Sequence, residues 1–261
     1  MRAPIDTIAA PPFLTHLKWV NVATLRMDKQ LGNPVLIEFW DICRANSMRT
    51  LPYIQEWYQR YATHPPSPSS VDARAEMPML RVVGIHSPGF AAAREREEVR
   101  AAVARLGIEY PVLVDPELEM WNVYENRGWP ARYLFDQQGM LTHYHYGEGA
   151  YGETELAIQE LLGIERELMP PVRPEDVEGA ALAPPSEARE GAYSGPYEAG
   201  GVWAVLDGEG VVRVNGASEL TVNHPGAYPL IEHERHSAGV LELQIGDGVR
   251  CLATCFTPGL A

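Results

Sequence analysis

The residue type best suited to redox chemistry is a single cysteine, Cys43, in the stretch EFWDICRANSMRTLPYI. A buried apolar run precedes it and a run with helical spacing follows it, so Cys43 should lie just before the first turn of a helix. Free backbone N–H groups and the helix dipole favour a thiolate at that point, and the guanidinium of Arg44 adds positive charge. An exposed Cys43 would therefore have a lowered pKa and could be oxidised or take a glutathione cap.

The same position also fits a purely structural role. Free cysteine is among the most buried residue types, and a small apolar side chain suits a junction between a strand and a helix. A buried Cys43, with its sulfur turned away from solvent, would be inert. The sequence leaves both alternatives open.

The other groups of potential ligands predict little chemistry. Cys251 and Cys255 would share one face of an extended strand about 13 Å apart, which is too far for a disulfide, so we expect core residues. The pair His143 and His145, and the tract EHERH, have no cysteine at zinc-like spacing. We therefore expect no metal and no cofactor.

The elements that would position Cys43 alternate between strand and helix. A buried strand at 34–40, a helix after it, a second strand at 79–86 and an amphipathic helix at 93–108 precede a short strand, a short helix, a hairpin at 131–147 and a closing helix. This order predicts an α/β fold with a mixed sheet and helices on both faces. A Pro/Ser-rich stretch at 63–78 is predicted to be a loop.

A change in composition divides the chain near residue 168. We predict a first domain at 1–167, a Pro/Ala/Glu-rich linker at 168–191 and a small all-β, sandwich-like domain of about five strands at 192–261.

Composition limits the partners and the compartment. The formal net charge of −14 argues against nucleic acid or an anionic membrane as a partner, because both need a cationic face. No apolar run approaches the length of a membrane span, and the N-terminus lacks the apolar core of a secretory signal. We therefore expect a cytoplasmic location, whereas the oligomeric state is not predicted.

Several phrases in one order resemble the thioredoxin-like domain of the DipZ/TlpA-type thiol–disulfide oxidoreductases. They are FW…RTLPYI, GIHSPGF, RLGIEYPVLVD, WNVYENRGWPARYLFDQQG and HYHYGEGAYGETELAIQELL, and they run from about residue 10 to 163. The phrase CLATCFTPG resembles the end of the carbohydrate-binding-module-like domain of longer members, in a shortened form.

The resemblance implies a motif W-x-x-x-C-x-x-C-x-R-T-L-P. Anchored without a gap on Trp40 and on RTLP, its two cysteine positions fall on Arg44 and Ser47. Neither side chain can perform dithiol exchange, which needs an attacking thiolate and a resolving thiol. The family also implies a cis-proline at Pro130, in a loop that faces the N-terminus of the helix and can pair with an extended substrate backbone. We expect Pro130 to bind substrate together with Trp40, Trp129, Arg44 and Ser47; the alternative is that the turn persists because the fold needs it.

Two functions from different classes remain open. The first is an oxidoreductase that uses Cys43 as a lone catalytic thiol, with a protein or a low-molecular-weight thiol as partner. The second is a redox-inactive binding module, in which the groove around Trp40, Trp129 and Pro130 takes a protein or ligand. Glycan binding by the β-rich region is a weaker third possibility.

Overall fold

The computed structural model describes residues 7–63 and 78–261, so most of the loop predicted at 63–78 lies outside the described residues. The described residues fall into two compact units. The first consists of the described residues within Met1–Trp40, Thr50–Ser87 and Leu106–Pro170, and the second of Asp41–Arg49, Pro88–Arg105 and Pro171–Ala261. Asp41–Arg49, here called the entrance segment, thus clusters with the C-terminal part of the chain. The linear division at residue 168 stays a prediction.

The described part of the first unit is built around a mixed sheet of six strands. They are β1 (Lys18–Val20), β2 (Val35–Trp40), β3 (Arg81–His86), β4 (Val112–Val114), β5 (Ala131–Phe135) and β6 (Leu141–Tyr146). Their order in the sheet is β1-β4-β3-β2-β5-β6. β2 runs parallel to β3, and β3 to β4, whereas the other neighbours are antiparallel.

The two faces of β2 have different surroundings. Val35, Ile37 and Phe39 belong to an apolar core with Trp19, Leu113 and Phe135. The alternate residues Leu36, Glu38 and Trp40 point to the other face and are also fully buried. A strand covered on both faces reads as a continuous apolar run, which explains why PVLIEFW predicted it.

The helices are α1 (Ala45–Tyr58), α2 (Arg96–Arg105), α3 (Glu119–Val123) and α4 (Tyr151–Leu162), and a π-helical turn, Gln59–Thr63, extends α1. Single 3-10 turns occur at Met27–Lys29, Ala91–Ala93 and Pro174–Asp176. The order of strands and helices and the sheet topology confirm the predicted thioredoxin-like fold.

The C-terminal part of the second unit is β-rich, as expected, but it has more strands than five. The strands are β7 (Leu182–Ala183), β8 (Arg189–Glu190), β9 (Gly195–Gly208), β10 (Gly210–Val214), β11 (Ser218–Val222), β12 (Gly226–Leu241), β13 (Leu243–Ile245), β14 (Val249–Thr257) and β15 (Gly259–Leu260). A four-stranded sheet has the order β12-β9-β14-β8, a three-stranded sheet has the order β11-β10-β13, and β15 pairs with β7. β7 and β8 lie within the stretch predicted to be a linker.

One prediction about β14 is wrong. Cys251 pairs with Leu206 of β9, but a register shift follows at once and Cys255 pairs with Trp203. A bulge adds one residue to one strand and reverses the alternation of side chains after it. Cys251 therefore packs on the core of the second unit, whereas Cys255 lies on the opposite face of the sheet. The two cysteines do not share a face.

Candidate functional site

An aromatic cluster of the first unit lies at the end of β2. The Trp40 ring is fully buried and meets His86 edge-on, with ring centroids 5.2 Å apart. Trp129 donates its indole N–H to the Ser87 carbonyl at 2.8 Å, and the Trp129–Pro130 bond is cis, as predicted. Trp40 and Trp129 therefore lie at the ends of neighbouring strands, and each contacts one of the two consecutive residues His86 and Ser87.

The carboxyl group of Glu38, two residues before Trp40 on β2, is buried in the sheet. Glu38 has no exposed surface, and in the β2–β5 register it lies opposite Arg132, itself 1% exposed. The Tyr110 hydroxyl faces the same carboxyl. Burial raises the pKa of Glu38 to about 8, against the opposing effects of Arg132 and Tyr110. Glu38 was not among the residues predicted from the sequence, although a charged residue inside the apolar run PVLIEFW was a visible signal.

The turn that carries the thiol of Cys43 belongs to the second unit. The carboxylate of Asp41 accepts the Cys43 backbone N–H at 2.9 Å and the Gly89 backbone N–H at 2.8 Å. The Ser47 hydroxyl accepts the Asp41 backbone N–H at 3.2 Å, and Met48 N–H donates to the Arg44 carbonyl to begin the helix. Asp41, which the sequence analysis missed, thus fixes the conformation of the turn from both sides.

Arg44 lies on the outer side of this turn. Its guanidinium is 3.7 Å from the Asp41 carboxylate and 5.3 Å from the centre of the Phe90 ring. A β-carbon at Gly89 would come within 2.5 Å of that guanidinium, so a larger residue there would displace the Arg44 side chain. The predicted site residues Cys43, Arg44 and Ser47 therefore do form one cluster.

The Cys43 side chain is closed off, with 1% of its surface exposed. Burial raises the pKa of its thiol well above the ordinary value, the nearby carboxylates of Asp41 and Asp207 raise it further, and Arg44 opposes them. The arrangement therefore keeps the sulfur as a neutral thiol, and the alternative of a lowered pKa, which required exposure, does not apply in this conformation. All three cysteines are described, and all are free.

A short segment of the second unit closes the turn from the other side. The Ala227 backbone N–H donates to the Ile42 carbonyl at 2.6 Å, next to Cys43 in the chain. Among the described strands, β12 lies at the edge of the four-stranded sheet beside β9, and Ala227 uses the outer side of this edge strand for the bond. Burial raises the pKa of the Tyr228 phenol, and the nearby Cys43 sulfur adds to that shift.

Comparisons with known proteins agree with this fold. No family model matches the chain. DipZ of Mycobacterium bovis is 32% identical over 164 residues, which is 61% of this chain but 22% of that protein. The thiol-disulfide oxidoreductase YkuV of Bacillus subtilis is 26% identical over 152 residues, 58% of this chain and 93% of that protein. Over about three fifths of its length the chain is similar to thioredoxin-like thiol–disulfide oxidoreductases. It spans about a fifth of the length of its DipZ relatives.

A solved structure of a thioredoxin-like protein in the oxidised form is 25% identical to this thioredoxin-like protein, covers 59% of it and has a TM-score of 0.48. In the described ranges, no helix combines the length and the apolar character that crossing a bilayer requires. The comparisons do not support the cytoplasmic location expected from the sequence, and it stays a prediction.

Proposed function

We propose that this protein exchanges thiols and disulfides through one cysteine, Cys43, with no dithiol cycle of its own. The observation that carries the proposal is the position of Cys43 in the entrance segment of a thioredoxin-like fold, beside Arg44 and one residue before α1 begins its hydrogen bonding. Arg44 and Ser47 occupy the two positions where the family motif has cysteines, so no second thiol from this segment can resolve a mixed disulfide.

The chemistry then needs two external sulfur partners. The Cys43 thiolate attacks one sulfur of a disulfide in a protein or in oxidised glutathione, a new S–S bond forms with Cys43, and the other half leaves as a thiolate. A thiol of a second molecule then attacks the mixed disulfide and releases Cys43. Each step conserves electrons and needs no further oxidant.

Exchange also requires that the thiol be uncovered. The attacking species is the thiolate, and both burial and the two carboxylates hold Cys43 in its neutral form. We therefore propose that the described conformation is a resting one. Substrate would reach Cys43 only when the segment that contains Ala227 moves away from Ile42.

The test is mixed-disulfide formation by the intact protein. The full chain is incubated with oxidised glutathione, and the site of any adduct is found by mass spectrometry of the peptide that ends at Arg44. We expect an adduct on the peptide that carries Cys43, formed slowly, and none on that peptide in a Cys43→Ser variant, whatever the more exposed Cys251 and Cys255 take up. Cys251→Ser serves as a matched control that should leave the adduct unchanged.

A protein that takes no adduct at Cys43, even when the thiol is accessible to labelling, would refute single-cysteine exchange. The scaffold would then act without its thiol, and partner binding that survives Cys43→Ser would replace the proposal.

A further inference from the structure

We propose that residues 224–228, here called the cover segment, form an acid-released cover over Cys43. The inference goes beyond thiol exchange, because it concerns access to the sulfur, and only its biological consequence rests on the proposed function. Both the cover segment and the entrance segment belong to the second unit.

The cover segment is attached to the turn at Cys43 by its backbone. Ala227 N–H donates to Ile42 C=O at 2.6 Å, and a β-carbon at Gly226 would approach the same oxygen within 3.5 Å. The Tyr228 hydroxyl donates to the His224 carbonyl at 2.8 Å, which closes the segment on itself. His224 is 4% exposed and Tyr228 is 2% exposed, so the segment is packed rather than loose.

A single cation from α2 holds the other end of the cover. Arg105 donates its Nε–H to Nε2 of His224 at 2.7 Å, and its guanidinium lies 4.7 Å from the centre of the Tyr228 ring. Because Nε2 accepts this bond, the imidazole proton must be on Nδ1, where it is donated to the Pro225 carbonyl at 2.6 Å. The contact therefore requires neutral His224 in one tautomer.

Protonation of His224 removes this contact. A proton on Nε2 would face the Nε–H of Arg105, so two donors and two positive charges would meet. Burial and Arg105 lower the pKa of His224, and the bond to Pro225 opposes them. Since solvent reaches Arg105, charge repulsion alone is screened, and the meeting of two donors is the stronger effect.

Other charged groups surround the sulfur and its cover. Asp41 and Arg44 of the entrance segment and Asp207 of β9 act on the Cys43 thiol beneath it. Groups elsewhere in the protein, Glu38 among them, also change protonation between pH 5 and pH 7.5, so the experiment needs a variant that removes the titration of His224 alone.

The direction in which pH changes the stability of the cover follows from proton linkage. The closed form favours neutral His224, so the cover is most stable above the ordinary histidine pKa near 6.5 and weakens as pH falls below it. If the closed form binds no proton at all, the open population increases by about 30-fold between pH 7.5 and pH 5. This 30-fold increase is the upper bound, because any proton binding by the closed form reduces it.

The experiment measures labelling of Cys43 in the full chain with 4,4′-dithiodipyridine, a disulfide reagent that remains usable in acid. The rate at each pH is divided by the rate for the same chain in denaturant at that pH, which removes the titration of the thiol itself. Labelling is quantified on the peptide that ends at Arg44. We expect the normalised rate to increase more than threefold from pH 7.5 to pH 5.

His224→Gln is the main variant, because a neutral amide oxygen can accept the Arg105 N–H at every pH. Its normalised rate should not change with pH, whereas His16→Gln, at an exposed imidazole of the first unit, should keep the wild-type response. Arg105→Leu should label faster than wild type already at pH 7.5.

A wild-type rate that does not change with pH, or an equal acid response in His224→Gln, would overturn the acid-released cover. The two proposals can fail independently. If Cys43 is labelled rapidly at pH 5 but forms no adduct with glutathione, the acid-released cover stands and only the proposed exchange reaction is refuted.

Discussion

Replacing Glu38 with glutamine should make the protein more stable at neutral pH, although it removes a buried group opposite an arginine. Glu38 has a pKa of about 8 in the folded protein against an ordinary value of 4.5. The folded state therefore binds a proton that the unfolded state releases, and stability falls as pH rises between these values. Raising the pH from 5 to 7.5 therefore lowers the free energy of unfolding by about 3 kcal/mol, at 1.36 kcal/mol per pKa unit.

The Glu38→Gln variant resembles the protonated acid and does not titrate. Its free energy of unfolding should match wild type near pH 5 and exceed it by up to about 3 kcal/mol at pH 7.5. Urea unfolding followed by circular dichroism at both pH values measures the difference by linear extrapolation.

Glu155 provides a contrast within the same unit. It is 1% exposed, but its carboxylate accepts bonds from the Tyr61 hydroxyl at 2.6 Å, Arg60 Nη1 at 2.9 Å and the Met169 N–H at 2.9 Å. Glu155→Gln loses part of these charge-assisted bonds and should cost about 1.5–3 kcal/mol. The same substitution at two buried glutamates should thus have opposite signs at pH 7.5.

A Glu38→Gln variant less stable than wild type at pH 7.5 would refute the reasoning. Glu38 would then be ionised and paired with Arg132, and breaking that pair would leave an uncompensated guanidinium in the core.

Two further changes test the packing and the electrostatics of the candidate site. Gly84→Ala should cost about 1–3 kcal/mol in urea unfolding, because its β-carbon would lie 2.9 Å from the Trp40 indole nitrogen. Gly128→Ala, with nothing within 4 Å, should stay within about 0.5 kcal/mol, and equal effects at the two glycines would contradict the packing argument. Asp41→Asn should move the pH profile of Cys43 alkylation to lower pH, since the Asp41 charge raises the pKa of that thiol. An unchanged profile would assign the raised pKa to burial alone.

Much of the first unit could be predicted because its signals are local. A strand buried on both faces gives a continuous apolar run, and the hairpin turn at 136–139 contains Gly139 with a φ of +78°, a conformation that favours glycine. The cis bond before Pro130 followed from the resemblance rather than from any local signal.

The state of Cys43 could not be predicted in the same way. Ala227 bonds to the adjacent Ile42, and the charge of Asp207 raises the pKa of the thiol. Both residues lie more than 160 positions further along the chain, and no sequence pattern connects them with residue 43. The bulge after Cys251 adds one residue to the pairing with β9, and it leaves no mark in an alternating run. Contacts of this kind come from tertiary structure, and a single sequence does not encode them in a local period.

The bond from Ala227 to Ile42 has a consequence for the order of synthesis. The donor is made 185 positions after the acceptor, and a ribosome adds roughly 5–20 residues per second, so the interval is about 10–40 s. During that interval the nascent chain contains Cys43 but lacks the strand edge that later shields it. Oxidants and small thiols in the surrounding medium thus meet this sulfur before the finished polypeptide encloses it, and a cap acquired then would be sealed in or would hinder closure.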